Sequence, residues 1–420
     1  MNFSRILLLV VPATAASAQG TRANCAPDNA GITVPAGFCV QIVADSLGST
    51  RHITVAPNGN IFVAVRNMRN VPGGIVALRD ADGDGVAETR RRFGAAGGSE
   101  IAYHNGYLYF GTDSAILRLR LGANELQPTG APDTVVSGML SERGHHASKT
   151  FAIGADGWIY VNIGAPSNAC EEQRNTPGSK GQSPCPLLTN SGGIWRFDSR
   201  RLRQTQADGE RWSTGIRNIV AITMDPAGQL PIGVQHGRDL LAGNWGKEHP
   251  LYTNEKSAEN PGEEMFRLEK GADYGWPYCY YDFDMKRRVL APEYGGDGNR
   301  EGRCATTARP LTAYPGHWAP NAIAFYTASA FPAPYRGGAF IAFHGSWNRA
   351  PLPQAGFNVA FQPFASGNPS GTYTVFADGF RGGPTEMRHR PTGLAIARDG
   401  SLLVTDDVGG RIYRIRWIGR

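Results

Sequence analysis

Two short patterns alternate six times along the chain, and this repeat constrains the fold more than any other feature. One is an apolar–x–apolar strand with a basic or polar residue between, usually after glycine. It occurs as Gly74-Ile75-Val76-Ala77-Leu78, Ala115-Ile116-Leu117-Arg118-Leu119, Gly193-Ile194-Trp195-Arg196-Phe197, Glu264-Met265-Phe266-Arg267-Leu268, Phe357-Asn358-Val359-Ala360-Phe361 and Arg411-Ile412-Tyr413-Arg414-Ile415. The period of two predicts strands with one buried face. The other pattern is strand, turn, strand, clearest at residues 53–63 around Asn58-Gly59. It recurs at 101–109 around Asn105-Gly106, at 151–161 around Asp156-Gly157 and at 394–404 around Asp399-Gly400, with weaker copies at 221–234 and 323–343. Asn-Gly and Asp-Gly favour tight hairpins because both central residues need positive φ.

Six copies of each pattern predict an all-β, six-bladed β-propeller of four-stranded antiparallel blades, since each blade leaves an edge that only a neighbour or ring closure can cover. The 54 glycines, 28 prolines and 19% charged residues fit strands and turns better than helices. Residues 38–43 are expected to pair with the C-terminal blade and close the ring. The start of the chain reads as a secretory signal: Arg5, the apolar run from Ile6 to Val11, then small residues to Ala18, where cleavage is expected. The apolar run is too short to span a bilayer. The expected organisation is therefore a signal peptide over 1–18, one propeller domain over 19–420, and a periplasmic or secreted location with no membrane span after cleavage.

The formal charge of +6 is modest and its cations are scattered, which suits a small anionic ligand and argues against nucleic acid. In an oxidising compartment the six cysteines are expected to be disulfides. Sequential pairing of Cys25 with Cys39, Cys170 with Cys185, and Cys279 with Cys304 closes three short loops. No C-x-x-C-H haem-attachment motif occurs.

Loops entering the innermost strands of a propeller ring one mouth of its channel, so functional residues should sit just before the strand–turn–strand units. His145 and His146, Arg217 and Asn218, Pro320 and Asn321, and Arg388, His389 and Arg390 do so. His146 and Arg217 each lie eleven residues before their turn glycine and Arg390 lies ten before, a shared register that aims all three at one mouth. Guanidinium forks match carboxylates bidentately, and a histidine beside them supplies a base near neutrality. The set suits an anionic, planar, multidentate ligand.

At these residues the chain resembles the soluble PQQ-dependent sugar dehydrogenases, and within them the sorbosone dehydrogenase-like branch. The resemblance covers nearly everything after residue 30 and rests on Gly144-His145-His146-Ala147-Ser148-Lys149-Thr150, Gly215-Ile216-Arg217-Asn218, His236-Gly237-Arg238-Asp239, Tyr274-Gly275-Trp276-Pro277-Tyr278, His344-Gly345-Ser346-Trp347-Asn348-Arg349 and Arg390-Pro391-Thr392-Gly393. It implies pyrroloquinoline quinone (PQQ) and calcium as cofactors and His146 as catalytic base. Arg217 and Asn218 would hold the cofactor, with Arg217 also stabilising developing charge. The Gly237 and Arg238 carbonyls would bind calcium, and Arg388 with Arg390 would grip the cofactor carboxylates. Two departures stand out. His145 replaces an aspartate of the glucose dehydrogenases, and their cofactor lysine has no clear counterpart. Arg349, Asn348 and His344 are the candidates to replace that lysine, and Trp347 joins Arg349 in the expected cofactor-binding set.

The implied reaction oxidises a sugar, sugar alcohol or aldehyde, with a separate electron acceptor, a cytochrome or a quinone. A second cation loop is expected from Asp80, Asp82, Asp84 and Glu88, whose alternating carboxylates resemble half an EF-hand, although Arg91 at the twelfth position excludes a complete one. Glu263 and Glu264 are candidates for a further ion. The rivals are a calcium-dependent lactonase on the same fold, disfavoured by a mouth reading as His and Arg instead of carboxylate and amide, and a non-catalytic binding propeller.

Overall fold

In the computed structural model, which describes residues 24–69, 71–141 and 146–419, six antiparallel sheets stand around a central axis. The predicted signal segment and His145 lie outside the described residues. The innermost strands are Thr50–Val55, Glu100–His104, Phe151–Ile153, Ile219–Met224, Pro320–Phe325 and Pro391–Ile396, each beside the innermost strands of both neighbouring blades. Each is joined to a second strand, through a short turn in five blades and through a longer connection, residues 326–338, in the fifth. All six apolar–x–apolar segments are third strands. The sixth blade is completed by Phe38–Ala44, which pairs antiparallel with Arg411–Trp417 from Phe38↔Trp417 to Ala44↔Ile412. One blade is wider than expected: Gln204–Thr205 adds in parallel to Asp133–Ser137.

The expectation of one buried face is corrected by the packing. Gly74–Arg79 is buried through Leu78, and Ala339–Phe343 is buried throughout, because each blade is sandwiched between two others and both its faces meet apolar neighbours. The core is therefore a ring of inter-blade layers, such as that joining Val63, Val76, Leu403 and Ile412 across the first and last blades. The basic residue of the pattern survives burial by stacking. The Arg196 guanidinium lies 4.2 Å from the Trp158 ring centroid and 4.6 Å from that of Trp212.

Three disulfides form as expected: Cys25–Cys39, Cys170–Cys185 and Cys279–Cys304. The second staples a long loop of the third blade, residues 164–192. The third staples an excursion, residues 268–311, that starts along the outer strand of that blade, where Asp273 bridges Thr214. No helix among the described residues is long and apolar enough to cross a membrane. The up-and-down order puts the loops between second and third strands, and those entering each innermost strand, on one face. The tight turns lie on the other.

Candidate functional site

Side chains from the third, fourth and fifth blades converge on a cavity of about 210 Å³ at the mouth, lined by His146, Arg217, His236, Gly237, Asp239, Glu263, His317 and the segment from Gly345 to Asn348. The backbone beneath it is fixed by buried amides. Asn162 donates to the Asn218 Oδ1 (2.9 Å) and accepts from the Ile219 N–H (3.0 Å), locking the third blade to the fourth directly under Arg217 and Asn218. Gly164 is required here, because a Cβ would come within 2.6 Å of the His146 Cβ and 2.7 Å of the Asn218 Oδ1. His146 itself holds φ +44°, an unfavourable region for a residue with a Cβ.

Its tautomer follows from its partner. Nδ1 lies 2.5 Å from the Ala165 carbonyl, which can only accept, so Nδ1 carries the proton and Nε2 keeps the lone pair. Burial, reinforced by the charge of Arg217, lowers its pKa to about 3. The ring is thus a neutral base across the physiological range. Arg217 is buried and fully engaged at its fork: NH1 donates to the Gly237 carbonyl (2.8 Å), and NH2 to the Asn168 Oδ1 and the Asp239 Oδ2, both at 2.7 Å. Its Nε is buried without a partner.

Asp239 is the hub that the sequence reading left unassigned. It also accepts from the Asn348 Nδ2 (2.7 Å) and sits 3.5 Å from the His317 Nδ1. Burial alone would raise its pKa, but Arg217 and His317 outweigh that and hold it well below the carboxylate range. Burial likewise pulls His317 down, and the Asp239 contact reverses the sign and leaves it raised. Glu263 is fully buried, accepts from the Gly237 and Ala319 N–H groups, and is pushed up to about 7 by burial.

Several expected residues lie elsewhere. Arg238 points away from the cavity and is buried against Glu293 at 2.5 Å, so only its backbone is at the turn. Arg349 is buried against the Ala258 and Gly316 carbonyls and Glu259, outside the cavity lining. Arg388 is exposed and paired with Glu386, with no contact to the mouth. Arg390 donates to the His344 and Gly345 carbonyls (3.1 and 2.9 Å), placing it at the rim. His344 meets both Asp407 oxygens at 3.0 Å, and Asp407 also binds Arg51. Trp347 overhangs the cavity with 67% of its surface exposed. Glu263 and Glu264 cannot share an ion, because neighbours on a strand face opposite sides. Glu264 is taken by Arg288 at 2.7 Å.

Asp80, Asp82, Asp84 and Glu88 do converge, with one ligand oxygen from each within 4.8 Å of the others. They lie in a third-to-outer turn on the face opposite the mouth, which separates any ion there from the site just described.

Two further residues of the site were missed, one beyond the reach of register and one within it. Asn168 sits in the disulfide-stapled loop, held by the Trp276 Nε1 on its carbonyl at 2.7 Å. His317 precedes its innermost strand, a position the register could have flagged.

The buried neutral histidines set a pH dependence. His146 is lowered to about 3 and His236 and His344 to about 4, mainly by burial. Below an unfolded pKa near 6.5 the unfolded chain takes up protons that the folded one refuses, so stability falls as pH drops from about 7 to about 4. Glu263 opposes this between its ordinary value and about 7, since the folded state keeps its proton there. The raised pKa of His317 also favours the folded state on acidification, but three lowered histidines outweigh it and Glu263, so the net change is a loss of stability by pH 4. A denaturant titration of the metal-free protein at pH 7 and 4 should show this loss; equal or greater stability at pH 4 would contradict it.

The six-bladed ring defines a class of fold shared with solved structures. The holo form of the pyranose dehydrogenase PQQ domain from Coprinopsis cinerea superposes with a TM-score of 0.73 at 20% identity, covering 92% of this chain and 97% of that one. The calcium structure of the Trichoderma reesei Carbohydrate-Active Enzymes Family AA12 protein gives 0.74 at 18%, covering 92% and 97%. The soluble aldose sugar dehydrogenase from Escherichia coli gives 0.59 at 16%, covering 90% and 99%. At such identities these likenesses establish the fold. Residues 32–417 match the TrAA12-like family model, and the chain belongs to that family.

A pyrroloquinoline quinone-dependent pyranose dehydrogenase of Coprinopsis cinerea is 26% identical over 280 residues, 57% of this chain and 37% of that protein. An uncharacterized protein of Borreliella burgdorferi is 37% identical over 202 residues, 48% of this chain and 47% of its own. The match thus spans less than half of each of these curated relatives. The resemblance to PQQ-dependent sugar dehydrogenases agrees with the family found.

Proposed function

We propose that this chain is a PQQ- and calcium-dependent dehydrogenase that oxidises a sugar or sugar-like alcohol or aldehyde. The observation that carries the reading is His146, a neutral base with its lone pair on Nε2, lining the same mouth as Arg217 in a TrAA12-like propeller. The residues present fit the cofactor. Arg217 and Arg390 offer cationic donors to an anionic ligand, Asn348 adds an amide and Trp347 an open aromatic face for a planar ring. The Gly237 carbonyl accepts from Arg217 and keeps a second lone pair. With the Asp239 and Glu263 carboxylates beside it, oxygen donors suited to a hard cation surround the turn.

When bound, PQQ supplies an ortho-quinone that accepts two electrons and a proton from substrate as hydride. His146 takes the hydroxyl proton of the substrate, or of a hydrated aldehyde, at Nε2. Arg217 is prepaid in orientation by Asn168 and Asp239, so its charge faces the mouth without rearrangement. Asp239 offsets that charge and orients Asn348. The electrons pass to a separate acceptor, a cytochrome or quinone. Three disulfides favour a periplasmic or secreted setting. An aldose or an aldosulose of the sorbosone type is the proposed substrate.

The ground on which the lactonase was disfavoured does not hold, because Asp239, Glu263 and Asn348 bring carboxylates and an amide to the mouth. Family membership is what favours the oxidoreductase. Chelation and dialysis should give inactive protein, and calcium with PQQ should restore dye reduction without nicotinamide. Absence of saturable PQQ binding in calcium, read by absorbance, would reject the dehydrogenase.

A further inference from the structure

We infer that the cleft between the first and sixth blades, on the face opposite the mouth, is a second binding site, and that it takes a sugar carrying a carboxylate. This goes beyond the dehydrogenase reading and does not rest on it.

The fourth position of the apolar–x–apolar repeat is arginine in four blades, and the four differ in what they meet. Arg118 donates to Asp133 (3.0 Å) and to the Ser199 carbonyl (3.1 Å). Arg196 donates to Glu210 (2.5 Å), and Arg267 reaches the Asn368 Oδ1 (3.2 Å) and the Gly367 carbonyl. Arg414 is only 7% exposed, yet its side chain makes no hydrogen bond with any described residue and its Nε is buried without a partner. Arg416, two residues on and so on the same face of the strand, has the same orphaned Nε. Two carboxylates stand near but are committed to their own turns. Asp80 accepts from the Gly83 and Gly85 N–H groups (2.7 and 2.8 Å) and stays 3.8 Å from the Arg414 Nη1. Asp399 accepts from the Ser401 N–H and Oγ (3.0 and 2.5 Å) and stays 4.0 Å from Arg414 and 3.4 Å from Arg416. These separations give partial charge balance without hydrogen bonds. Burial above all, with the charge of Arg416 added, lowers the Arg414 pKa although Asp399 and Asp80 oppose it.

All four groups line a cleft of about 610 Å³, against about 210 Å³ at the mouth. Exposed Arg398 and Asn124 stand at its rim. Buried guanidinium donors call for an acceptor, and a carboxylate matches their fork geometry. The rest of the lining chooses among anions. Asp80 and Asp399 repel a small multivalent anion such as phosphate, but they accept hydrogen bonds from hydroxyl groups, and the Asn124 amide both donates and accepts. One carboxylate on a hydroxyl-bearing ring therefore answers both signs of the lining, and the volume admits the ring. The chemistry is that of a uronate.

The test needs no PQQ, so its failure and that of the dehydrogenase are read separately. Calorimetric titration of the full chain uses glucuronate, glucose and acetate as probes. Glucuronate should bind saturably and about tenfold or more tighter than either of the others, since glucose lacks the charge and acetate the hydroxyls. No saturable binding of glucuronate, or equal binding of acetate or glucose, would overturn the inference. Because Arg414 is buried, the variants are Arg416→Gln, partly exposed, and Arg398→Gln on the rim. Arg416→Gln should weaken glucuronate by about tenfold or more, and Arg398→Gln by roughly threefold, with melting temperatures near that of the parent. Unchanged affinity in Arg416→Gln rejects the cleft; should that variant melt early, the same criterion falls on Arg398→Gln. Hydrogen exchange in glucuronate should slow at 58–61 and 397–401 and stay unchanged at 236–239 beside the mouth. Protection at the mouth alone assigns the binding there and rejects the second site.

Discussion

His146→Gln is expected to lower turnover at saturating substrate by about 10²- to 10⁴-fold while PQQ affinity in calcium stays near that of the parent protein. Glutamine keeps a hydrogen-bonding group of similar reach and can still donate to the Ala165 carbonyl, so the loop from 146 to 150 retains its anchor. What disappears is the lone pair on Nε2, the one basic position the tautomer leaves facing the mouth. Because the ring is already neutral down to about pH 3, the acidic limb of the parent's rate profile should not show an ordinary histidine titration near 6.5. Near-normal turnover of the glutamine variant would remove His146 as base. A normal profile breaking at 6.5 would mean that the ring is solvated as it works.

Arg217→Met should have the other large effect, and on binding first. Methionine fills much of the stem volume but leaves the Asn168 Oδ1, Asp239 Oδ2 and Gly237 carbonyl without their shared donor. PQQ affinity in calcium is expected to fall by about 100-fold, in line with roughly 3 kcal/mol for a buried charge facing an anionic ligand. The sign of a second readout is fixed by the same geometry. The charge of Arg217 helps depress His146, so removing it should raise that pKa from about 3. An NMR titration of the apoprotein measures this shift without any cofactor present. If PQQ affinity changes by less than threefold and the histidine does not move, Arg217 is only a structural brace.

The repeat was legible because propeller blades write themselves locally. Four of the six hairpins are short and carry Asn-Gly or Asp-Gly in the turn, and nothing distant is needed to read them. The same locality made the placement of His146 and Arg217 at one mouth readable from register, since the loops that carry them enter equivalent strands, whereas Asn218 lies beneath the cavity with its Oδ1 on Asn162. Register failed where residues come from insertions. Asn168 reaches Arg217 only because the Cys170–Cys185 loop folds back under Trp276, and no spacing encodes that. Arg388 and Arg390 share one loop and were expected to act together, yet backbone geometry turns Arg390 to the Gly345 carbonyl and leaves Arg388 to Glu386. Burial was misread as one-sided because alternation in sequence records which two blades a side chain meets, and both are dry.

Ring closure has a consequence for how such a chain comes into being. The four-stranded core of each of five blades is made from one continuous stretch, whereas the sixth joins Phe38–Ala44 to Arg411–Trp417. During synthesis from the amino end, the earliest strand emerges long before its neighbour exists. It must wait through the production of every other blade with an open edge. The Ala26 N–H on the Val40 carbonyl at 2.7 Å and the Cys25–Cys39 link are both local to that strand, so they are available during the wait. They give the waiting strand a small folded-back partner of its own, which covers part of an edge that could otherwise pair with a second nascent chain.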